Sequence, residues 1–253
     1  MSQVATTIHE MKSIRNAVLK DKSVGFVPTM GALHAGHDEL LKQARRENDF
    51  VILSIFVNPT QFDNKEDLQK YPSTLVKDVE MAEKERINCV WTPRYDQLYP
   101  DDYNYRIAET EFSKTLCGAH RPGHFDGMLT IVLKMLNIAR PTRVYFGEKD
   151  YQQLTLVKGM IQAFFLDTQV VEVPTVRERT GLALSSRNIC LSPKEKELAP
   201  ALYKTIKSSH STEEARERLE KQGFKVEYIE DIKGRRYAAA YLGNTRLIDN
   251  VRI

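Results

Sequence analysis

The stretch from Val24 to His37, VGFVPTMGALHAGH, most constrains what this chain can fold into. Its apolar start predicts a short buried strand that Pro28 closes, because proline cannot donate to a strand ladder, and residues 36–46 predict a helix. Residues 50–57, FVILSIFV, are continuously apolar, which is typical of a strand buried on both faces. Strand, helix and strand together predict a right-handed βαβ unit. We therefore expect a parallel sheet with ligands at the carboxyl ends of its strands.

The turn between this strand and its helix is suited to binding phosphate. It brings backbone N–H groups and the positive end of a helix dipole to one place. His34 and His37 are three residues apart, so on a first helical turn they face the same side. An imidazole there can donate to phosphate oxygens that gain charge during a transfer reaction. The alternative is that one or both histidines cap the helix or pack against it.

Composition narrows the class of protein. Of the 253 residues 42% are hydrophobic, enough for a proper core in one large domain or two smaller ones. A net charge of +3, from 37 basic and 34 acidic residues, gives no general case for nucleic-acid binding. The widely spaced Cys89, Cys117 and Cys190 favour reduced thiols over a disulfide framework or a zinc site. With no apolar run of the length of a membrane span or a signal sequence, we expect a soluble, cytoplasmic protein.

Four polar loops follow predicted strands or open predicted helices. Asn58 and Gln61 come after the FVILSIFV strand, and residues 121–127, RPGHFDG, form a glycine-rich loop with a cation and an imidazole. Residues 147–153, GEKDYQQ, follow another buried strand. Residues 180–188, TGLALSSRN, offer hydroxyls, a guanidinium and an amide that suit a polyphosphate. A parallel sheet gathers such strand ends at one edge, which makes a shared site the stronger interpretation.

Simpler interpretations exist for individual loops. Turn chemistry alone could explain Asn58, and Lys149 with Asp150 could form an exposed salt-bridged turn. The polar residues 63–70 could be a mobile loop without a role or a lid over an intermediate.

The predicted fold class is α/β: a Rossmann-like parallel sheet with helices on both faces, plus a small α+β C-terminal domain. From Pro193 the pattern changes to helices followed by short antiparallel strands. We therefore divide the chain into a catalytic domain, residues 1–185, and a small domain of helix and antiparallel strands, residues 186–253.

Side by side, these motifs closely resemble the pantothenate synthetase (pantoate–β-alanine ligase) family. The matching stretches span most of the chain in order: PTMGALHAGH, FVNPTQF, RPGHFDG, YFGEKDYQQ, VPTVRE, GLALSSRN and LGNTRLIDN. The paired histidines also resemble the H-x-G-H element of the nucleotidyltransferase superfamily. The resemblance implies an ATP- and Mg²⁺-dependent ligase, expected as a homodimer. Pantoate would attack the ATP α-phosphate to give pantoyl adenylate and pyrophosphate, and β-alanine would then displace AMP to give pantothenate.

The resemblance also implies roles for individual residues. The implied catalytic residues are His34, His37, Lys149 and Arg187. The implied ATP-binding residues are these four with Met30, Gly147, Asp150, Val176, Leu184, Ser185 and Ser186. Pantoate would contact Met30, Asn58, Gln61, Phe62, Arg121 and Gln153, and Arg121 could reach the site across a dimer interface. Asp78 is a candidate ligand of Mg²⁺, whose other ligands would be phosphate oxygens and water.

The sequence departs from the family pattern at a few positions. Asp63-Asn64 stands where relatives place a glycine, Ser73 replaces an arginine, and Asp38 is an acid at a position that is usually apolar or neutral. The C-terminal domain is also short. None of these changes removes a residue assigned to chemistry.

Three other functions compete with the ligase. An adenylyltransferase of the same superfamily could use another acid or a nucleotide. A relative of the tRNA-charging enzymes would bind RNA, against which the near-neutral charge counts. An inactive ATP-binding regulator would not need the intact histidines, Lys149 and Arg187.

Overall fold

The computed structural model describes residues 2–69 and 71–253, and only the backbone of Lys65. The chain divides into two compact units. The first unit consists of Met1–Leu33, His37–Gly147 and Gln152–Val173, and the second of His34–Gly36, Glu148–Tyr151 and Pro174–Ile253. The sequence-based boundary between residues 185 and 186 falls inside the second unit, and as a division into domains it stays a prediction.

A six-stranded parallel sheet forms the centre of the first unit. Its strands are β1 (Gln3–Ala5), β2 (Val24–Thr29), β3 (Phe50–Ile55), β4 (Cys89–Trp91), β5 (Arg143–Gly147) and β6 (Gln169–Val173). Their order across the sheet is β1-β4-β3-β2-β5-β6, and every pairing is parallel. The chain proceeds from β2 to β3 and β4 on one side, then returns to place β5 on the other side of β2. The predicted α/β class is confirmed, with a topological switch point between β2 and β5.

Helices connect these strands. They are α1 (Ile8–Ala17), α2 (Ala35–Glu47), α3 (Lys65–Gln69), α4 (Leu75–Lys84), α5 (Tyr95–Leu98), α6 (Leu116–His120), α7 (His124–Ala139) and α8 (Tyr151–Ala163). Apolar side chains of α2, β2, β3 and β4 share one core cluster that includes Leu41, Val27, Leu53 and Val90. Burial of such side chains stabilises each by about 1.5–3 kcal/mol relative to leaving it in water.

Several details of the first unit differ from the sequence-based predictions. β1 was not predicted, because three residues are too short to show an alternating pattern. Residues 65–69 form helix α3 where a loop was predicted, and Lys70, the end of that predicted loop, lies outside the described residues. Strand β2 continues through Pro28 to Thr29, since β5 pairs only with Gly25 and Phe26 and so leaves Pro28 beyond the doubly paired stretch.

The second unit contains a small antiparallel sheet and three short helices. The elements are α9 (Pro193–Leu198), α10 (Ala201–Ser208), α11 (Thr212–Glu220), β7 (Lys225–Ile232), β8 (Arg235–Leu242) and β9 (Thr245–Arg252). The central strand β8 pairs with β7 and β9 in antiparallel register. Ala238 and Ala240 of β8 pack with Ile206 of α10 and Leu219 of α11 in one buried cluster. The predicted small α+β C-terminal fold is confirmed.

Within residues 2–69 and 71–253, no helix is both long enough and apolar enough to cross a membrane.

Replacement by alanine is expected to change stability in opposite directions at two helical glycines. A Cβ on Gly127 of α7 would lie 2.3 Å from the backbone oxygen of Thr60, whereas a Cβ on the exposed Gly159 of α8 would meet nothing within 4 Å. Gly127→Ala is expected to lower the free energy of unfolding by about 1–3 kcal/mol through overpacking. Gly159→Ala should raise it by about 0.5–1 kcal/mol, because glycine is a poor helix former. Urea denaturation of both variants measures this, and a Gly127→Ala variant as stable as the parent would contradict the close packing.

Candidate functional site

The carboxyl ends of β2 and β5 carry the first of the predicted site residues. Met30 follows β2 directly, and Gly147 is the last residue of β5. Both strands flank the switch point, where open parallel sheets bind their ligands. His34 comes immediately before helix α2, and His37 lies in its first turn. The predicted helix start at the paired histidines is therefore present.

Asp78 holds the loop that follows β2. Its carboxylate accepts the backbone N–H groups of Ala32 at 3.0 Å and Leu33 at 2.8 Å, and the hydroxyl of Thr74 at 3.1 Å. The loop needs this support because Gly31 and Ala32 both have positive φ, 78° and 51°. Asp78 is 2% exposed. The carboxylate thus fixes the backbone that leads from Met30 to the histidines.

This geometry argues against the predicted role of Asp78 as a magnesium ligand. A buried carboxylate that already accepts three hydrogen bonds is poorly placed to coordinate an ion that keeps several waters. Among the residues that the structure describes, no group of three or more His, Cys, Asp or Glu side chains could hold a metal ion.

Asn58 and Gln61 form a buried amide pair after β3. The Asn58 Nδ2 group donates to Gln61 Oε1 at 3.1 Å and to the Gly127 carbonyl at 3.2 Å. Its Oδ1 accepts the hydroxyl of Tyr99 at 2.8 Å. Because both ends of the Asn58 amide are engaged, the orientation of the Gln61 amide is fixed in turn. Gln61 therefore directs its Nε2 group at the sulfur of Met30, a weak acceptor 3.2 Å away.

Within this pair the roles differ from those predicted. Asn58 is 1% exposed and fully used in holding its neighbours, so the structure makes it a positioning residue and not a direct substrate contact. Tyr99 was not predicted at all, because its segment has no periodic pattern. Burial raises the pKa of the Tyr99 phenol, which keeps it a neutral donor to Asn58.

Arg121 and His124 connect a second loop to the Gln61 segment. Arg121 donates through Nε to Asp63 at 3.0 Å, and its NH1 group lies 3.2 Å from His124 Nε2. Since arginine only donates, His124 Nε2 must accept, which places the imidazole proton on Nδ1. That Nδ1 lies 2.7 Å from the Gln61 carbonyl and donates to it. The predicted substrate residue Arg121 thus supports the Gln61 backbone within its own chain.

The adjacent glutamines of α8 have different environments. Gln152 is 4% exposed and hydrogen-bonds to the backbone at Phe112, Thr115 and Cys117. Gln153, the predicted pantoate contact, is half-buried. Phe62, the other predicted contact in this unit, packs edge-to-face against Tyr71 with ring centroids 5.7 Å apart. Gln152 thus has a structural role, and the contact of Gln153 with pantoate stays a prediction.

In the second unit, His34 is held as a neutral imidazole. Its Nδ1 accepts the backbone N–H of Gly36 at 3.1 Å, so the proton of the neutral ring is on Nε2. Burial and, to a smaller extent, the charge of Lys149 together lower the pKa of His34 from 6.5 to about 4, while Asp150 opposes the shift. A Cβ on Gly36 would come within 2.8 Å of the His34 ring, which explains the glycine in the H-x-G-H element. His34 is therefore an uncharged N–H donor beside a lysine.

Lys149 and Asp150 lie in the short 3₁₀ turn Glu148–Asp150. Lys149 Nζ is 3.7 Å from Asp150 Oδ1, and the lysine side chain is 19% exposed against 48% for the aspartate. This contact is the salt-bridged turn that the sequence allowed as an alternative. The influence of both groups on the pKa of His34 shows that they also belong to one cluster with it.

The loop that follows β6 gathers the remaining predicted residues. The backbone N–H of Leu184 donates to the Val176 carbonyl at 3.0 Å, so these two residues are neighbours across a narrow hairpin. Ser185 caps the 3₁₀ turn Ser186–Cys190 by accepting the N–H of Arg187 at 3.3 Å. A Cβ on Gly36 would lie 3.8 Å from Leu184. The second unit thus brings this loop close to Gly36, two residues after His34.

The electrostatics of His34 generate a prediction for Lys149. Since the ammonium of Lys149 disfavours a charged imidazole, Lys149→Met is expected to move the pKa of His34 upward from about 4. NMR titration of the His34 ring, assigned by its loss in His34→Gln, measures this. Lys204→Met is the control, because Lys204 is not among the charges that shift this pKa. An unchanged or lower pKa in Lys149→Met would contradict the arrangement.

The same shift fixes the sign of a contribution to stability. Unfolded His34 takes up its proton near pH 6.5, and folded His34 only near pH 4. Between these values the unfolded state binds more protons, so the contribution of His34 to stability falls as the pH drops through this window. In Lys149→Met the pH range over which this contribution is lost should be narrower, because the folded-state pKa of His34 moves closer to 6.5.

Comparisons with known proteins agree with this geometry. The family model for pantoate-beta-alanine ligase matches residues 3–252. Pantothenate synthetase of Bdellovibrio bacteriovorus is 54% identical over 253 residues, which cover 100% of both chains. Pantoate-beta-alanine ligase from Francisella tularensis, solved in complex with beta-gamma ATP and beta-alanine, is 43% identical with a TM-score of 0.95, over 100% of this chain and 98% of that one. Pantothenate synthetase from Thermus thermophilus is 37% identical with a TM-score of 0.88, over 99% of each chain. The chain belongs to the pantoate–β-alanine ligase family.

Proposed function

We propose that this protein condenses pantoate with β-alanine at the expense of ATP, and that it does so through a pantoyl adenylate. The observation that carries the proposal is the family match, which extends over residues 3–252. It is supported by the Francisella tularensis relative, whose structure contains beta-gamma ATP and beta-alanine. The neutral His34 beside Lys149 adds a physical reason, since an N–H donor and a cation both suit a triphosphate.

In the first half-reaction, a carboxylate oxygen of pantoate attacks the α-phosphorus of ATP. A P–O bond to pantoate forms, the bond to the β-phosphate oxygen breaks, and pyrophosphate leaves. His34, as a donor through Nε2, and Lys149, as a cation, would stabilise the charge that develops on the phosphate oxygens, together with His37 and Arg187. Ser185 and Ser186 would hold the β- and γ-phosphates. Gly147, Asp150, Val176 and Leu184 would bind the nucleoside.

Pantoate would be held by the Gln61 amide. Its Nε2 donors, oriented by Asn58, face a thioether and would gain by exchanging that weak acceptor for an oxygen of pantoate. Gln153 would donate from α8, and Met30 and Phe62 would contact the dimethyl group. Arg121 would act mainly through the Gln61 backbone.

In the second half-reaction, the amine of β-alanine attacks the acyl carbon of the adenylate. The C–N bond forms, the bond from the acyl carbon to the AMP oxygen breaks, and the amine loses a proton. Positioning of the two reactants is sufficient for this step, because the adenylate is already an activated acid.

We further propose Mg²⁺ as the ion that accompanies ATP, held by phosphate oxygens and water. A cytoplasmic location is proposed from the family and from the wide spacing of the three cysteines in the sequence. A homodimer is proposed from the family alone. Analytical ultracentrifugation tests the dimer, and a monomer at all concentrations would refute it.

The reaction is tested by supplying substrates in order. ATP, Mg²⁺ and pantoate should release pyrophosphate, and later addition of β-alanine should yield AMP and pantothenate. His34→Ala and His37→Ala are expected to slow pyrophosphate release by about 10²-fold or more, as for loss of a charge-stabilising donor. His9→Ala, on the exposed side of α1, is the control and should retain the parent rate. If the protein is folded and binds ATP but releases no pyrophosphate in the presence of pantoate, its acid substrate is a different one.

The orientation of the Gln61 amide predicts a selective effect on pantoate. Gln61→Glu keeps an acceptor for Asn58 but removes the Nε2 donors and adds a charge that repels the pantoate carboxylate. Loss of a hydrogen bond to a charged group, worth roughly 1.5–3 kcal/mol, should raise KM for pantoate by about 10-fold or more. KM for ATP should change little. Gln162→Glu, at an exposed position of α8, controls for the added charge, and an equal change in both KM values would refute the assignment.

A further inference from the structure

Of the two motifs VPTVRE and LGNTRLIDN, only Val176 has a role in the proposed reaction. In the structure they meet in a buried polar network of the second unit. At its centre is Asn250 of β9, which is 5% exposed. Its Nδ2 group donates to the Glu148 carbonyl at 2.9 Å and to the Lys149 carbonyl at 3.0 Å. One amide at the end of the chain thus holds two successive backbone carbonyls of the turn that carries Lys149.

The orientation of the Asn250 amide is fixed by Arg235. The guanidinium of Arg235 donates to Asn250 Oδ1, so the amide cannot flip without placing two donors against each other. Arg235 is 6% exposed, and its guanidinium lies over the ring of Tyr151, 3.5 Å from the centroid. Tyr151 is the residue that follows the turn. Arg235 therefore supports the same turn through two contacts.

The neighbouring Asp249 fixes the strand on which Asn250 lies. Arg177 of VPTVRE makes a bidentate pair with the Asp249 carboxylate at 2.6 and 2.7 Å, and the Asn250 backbone N–H donates to Asp249 Oδ1 at 2.8 Å. Asp249 is 5% exposed, and Arg177 packs on the ring of Tyr203 at 3.6 Å. Paired charges of this kind hold their partners firmly, because separating them would leave a buried charge.

From these contacts we propose that Asn250 is a positioning residue that acts on catalysis through Lys149. It holds the backbone carbonyl groups on both sides of the Cα atom of Lys149, and so sets where the ammonium group stands relative to His34. The inference rests on the proposed function, in which Lys149 stabilises charge on the phosphates. A displacement of about 1 Å at a charged group of this kind can cost about 10²-fold in rate.

The chemistry of the contact explains why an amide is required. Two carbonyl oxygens need two N–H donors from one short side chain, and Arg235 needs an acceptor on the same group. Asn250→Asp would keep the acceptor but direct an anionic oxygen at two carbonyls. Asn250→Ala would leave the carbonyls and the guanidinium without this partner, and Asn250→Ser would retain one donor.

The test is a double-mutant cycle on single-turnover pyrophosphate release with ATP, Mg²⁺ and pantoate. Asn250→Ala is expected to slow the parent by about 10- to 100-fold through misplacement of Lys149. In a Lys149→Ala background the same change should cost less than about 3-fold, because the group through which it acts is gone. Asn250→Asp should resemble Asn250→Ala, and Asn250→Ser should lie between Asn250→Ala and the parent. In Asn250→Ala, the KM for β-alanine should stay within about 2-fold of the parent value, since misplacement of the Lys149 charge alters the adenylation step.

Glu227→Gln is the matched control. Glu227 of β7 pairs with Arg246 of β9, so this isosteric change weakens the same sheet without touching the turn. Glu227→Gln should keep the rate of pyrophosphate release within about 2-fold of the parent rate, even if its thermal midpoint falls as far as that of Asn250→Ala or further. Assays well below the thermal midpoint, checked by circular dichroism, separate rate from unfolding. If Asn250→Ala does not fold, Asn250→Ser decides the question by the same cycle.

The outcomes distinguish this inference from the proposed function. Equal slowing in both backgrounds, or a rate for Asn250→Ala that matches that of Glu227→Gln, would overturn the role of Asn250 while leaving the ligase reaction intact. A Lys149→Ala enzyme within a few-fold of the parent would refute the role of Lys149 itself, and with it the basis of the inference. Absence of pantoate-dependent pyrophosphate from the parent would refute the proposed function.

Discussion

The parallel pairing of β2 with β3 on one side and β5 on the other is the constraint on which the functional part of the first unit depends. β2 pairs with β3 over its whole length but with β5 only at Gly25 and Phe26. β2 and β5 therefore separate toward their carboxyl ends. The order of the strands across the sheet also reverses its direction between these two strands. A crevice of this kind is where open parallel sheets bind ligands. Met30 and Gly147 stand at its two sides because of the topology, before any side chain is considered.

A second rule governs the polar side chains around the predicted residues. Three of them are nearly inaccessible to water: Asp78, Asn58 and Asn250. The side chain of each hydrogen-bonds to the backbone of another part of the chain. An unsatisfied buried polar group costs about 1–3 kcal/mol, so each of these contacts must be made for the fold to be stable. The contacts then determine where the neighbouring functional groups stand. Each buried positioning residue is thus paired with a functional group that it orients: Asp78 with the loop to His34, Asn58 with Gln61, and Asn250 with Lys149.

This pairing explains what could be predicted from the sequence. Strand–turn–helix patterning located His34 and His37, and polar residues after apolar strands located Lys149 and Gln61, because both signals are local. Tyr99, His124 and the anchoring role of Asp78 depend on contacts over 41, 63 and 46 residues, which no local pattern encodes. The same holds for Asn250, which is 101 residues from Lys149. Residue type alone could not separate the two possible roles of Asp78, since an aspartate that anchors a loop and one that binds a metal ion are the same residue in a sequence.

The departures from the family pattern show how local compensation preserves a site. Asp63, which stands where the resemblance implies a glycine, lies 3.0 Å from Arg121. Burial raises its pKa, but the guanidinium of Arg121, a backbone hydrogen bond and the charge of His124 together leave that pKa below its ordinary value. Asp38 lies in the first turn of α2, one residue after His37, yet its carboxylate is 2.6 Å from Lys42 and 3.8 Å from Lys84. Each additional acid is therefore matched by a cation of the same unit. The carboxyl groups are partly shielded from water, with 12% of the Asp38 side chain and 31% of the Asp63 side chain exposed. The pairs therefore contribute to stability only the difference between their attraction and the cost of removing the charges from water. Their larger consequence is electrostatic, because a neutralised carboxylate no longer opposes the positive potential that a triphosphate requires.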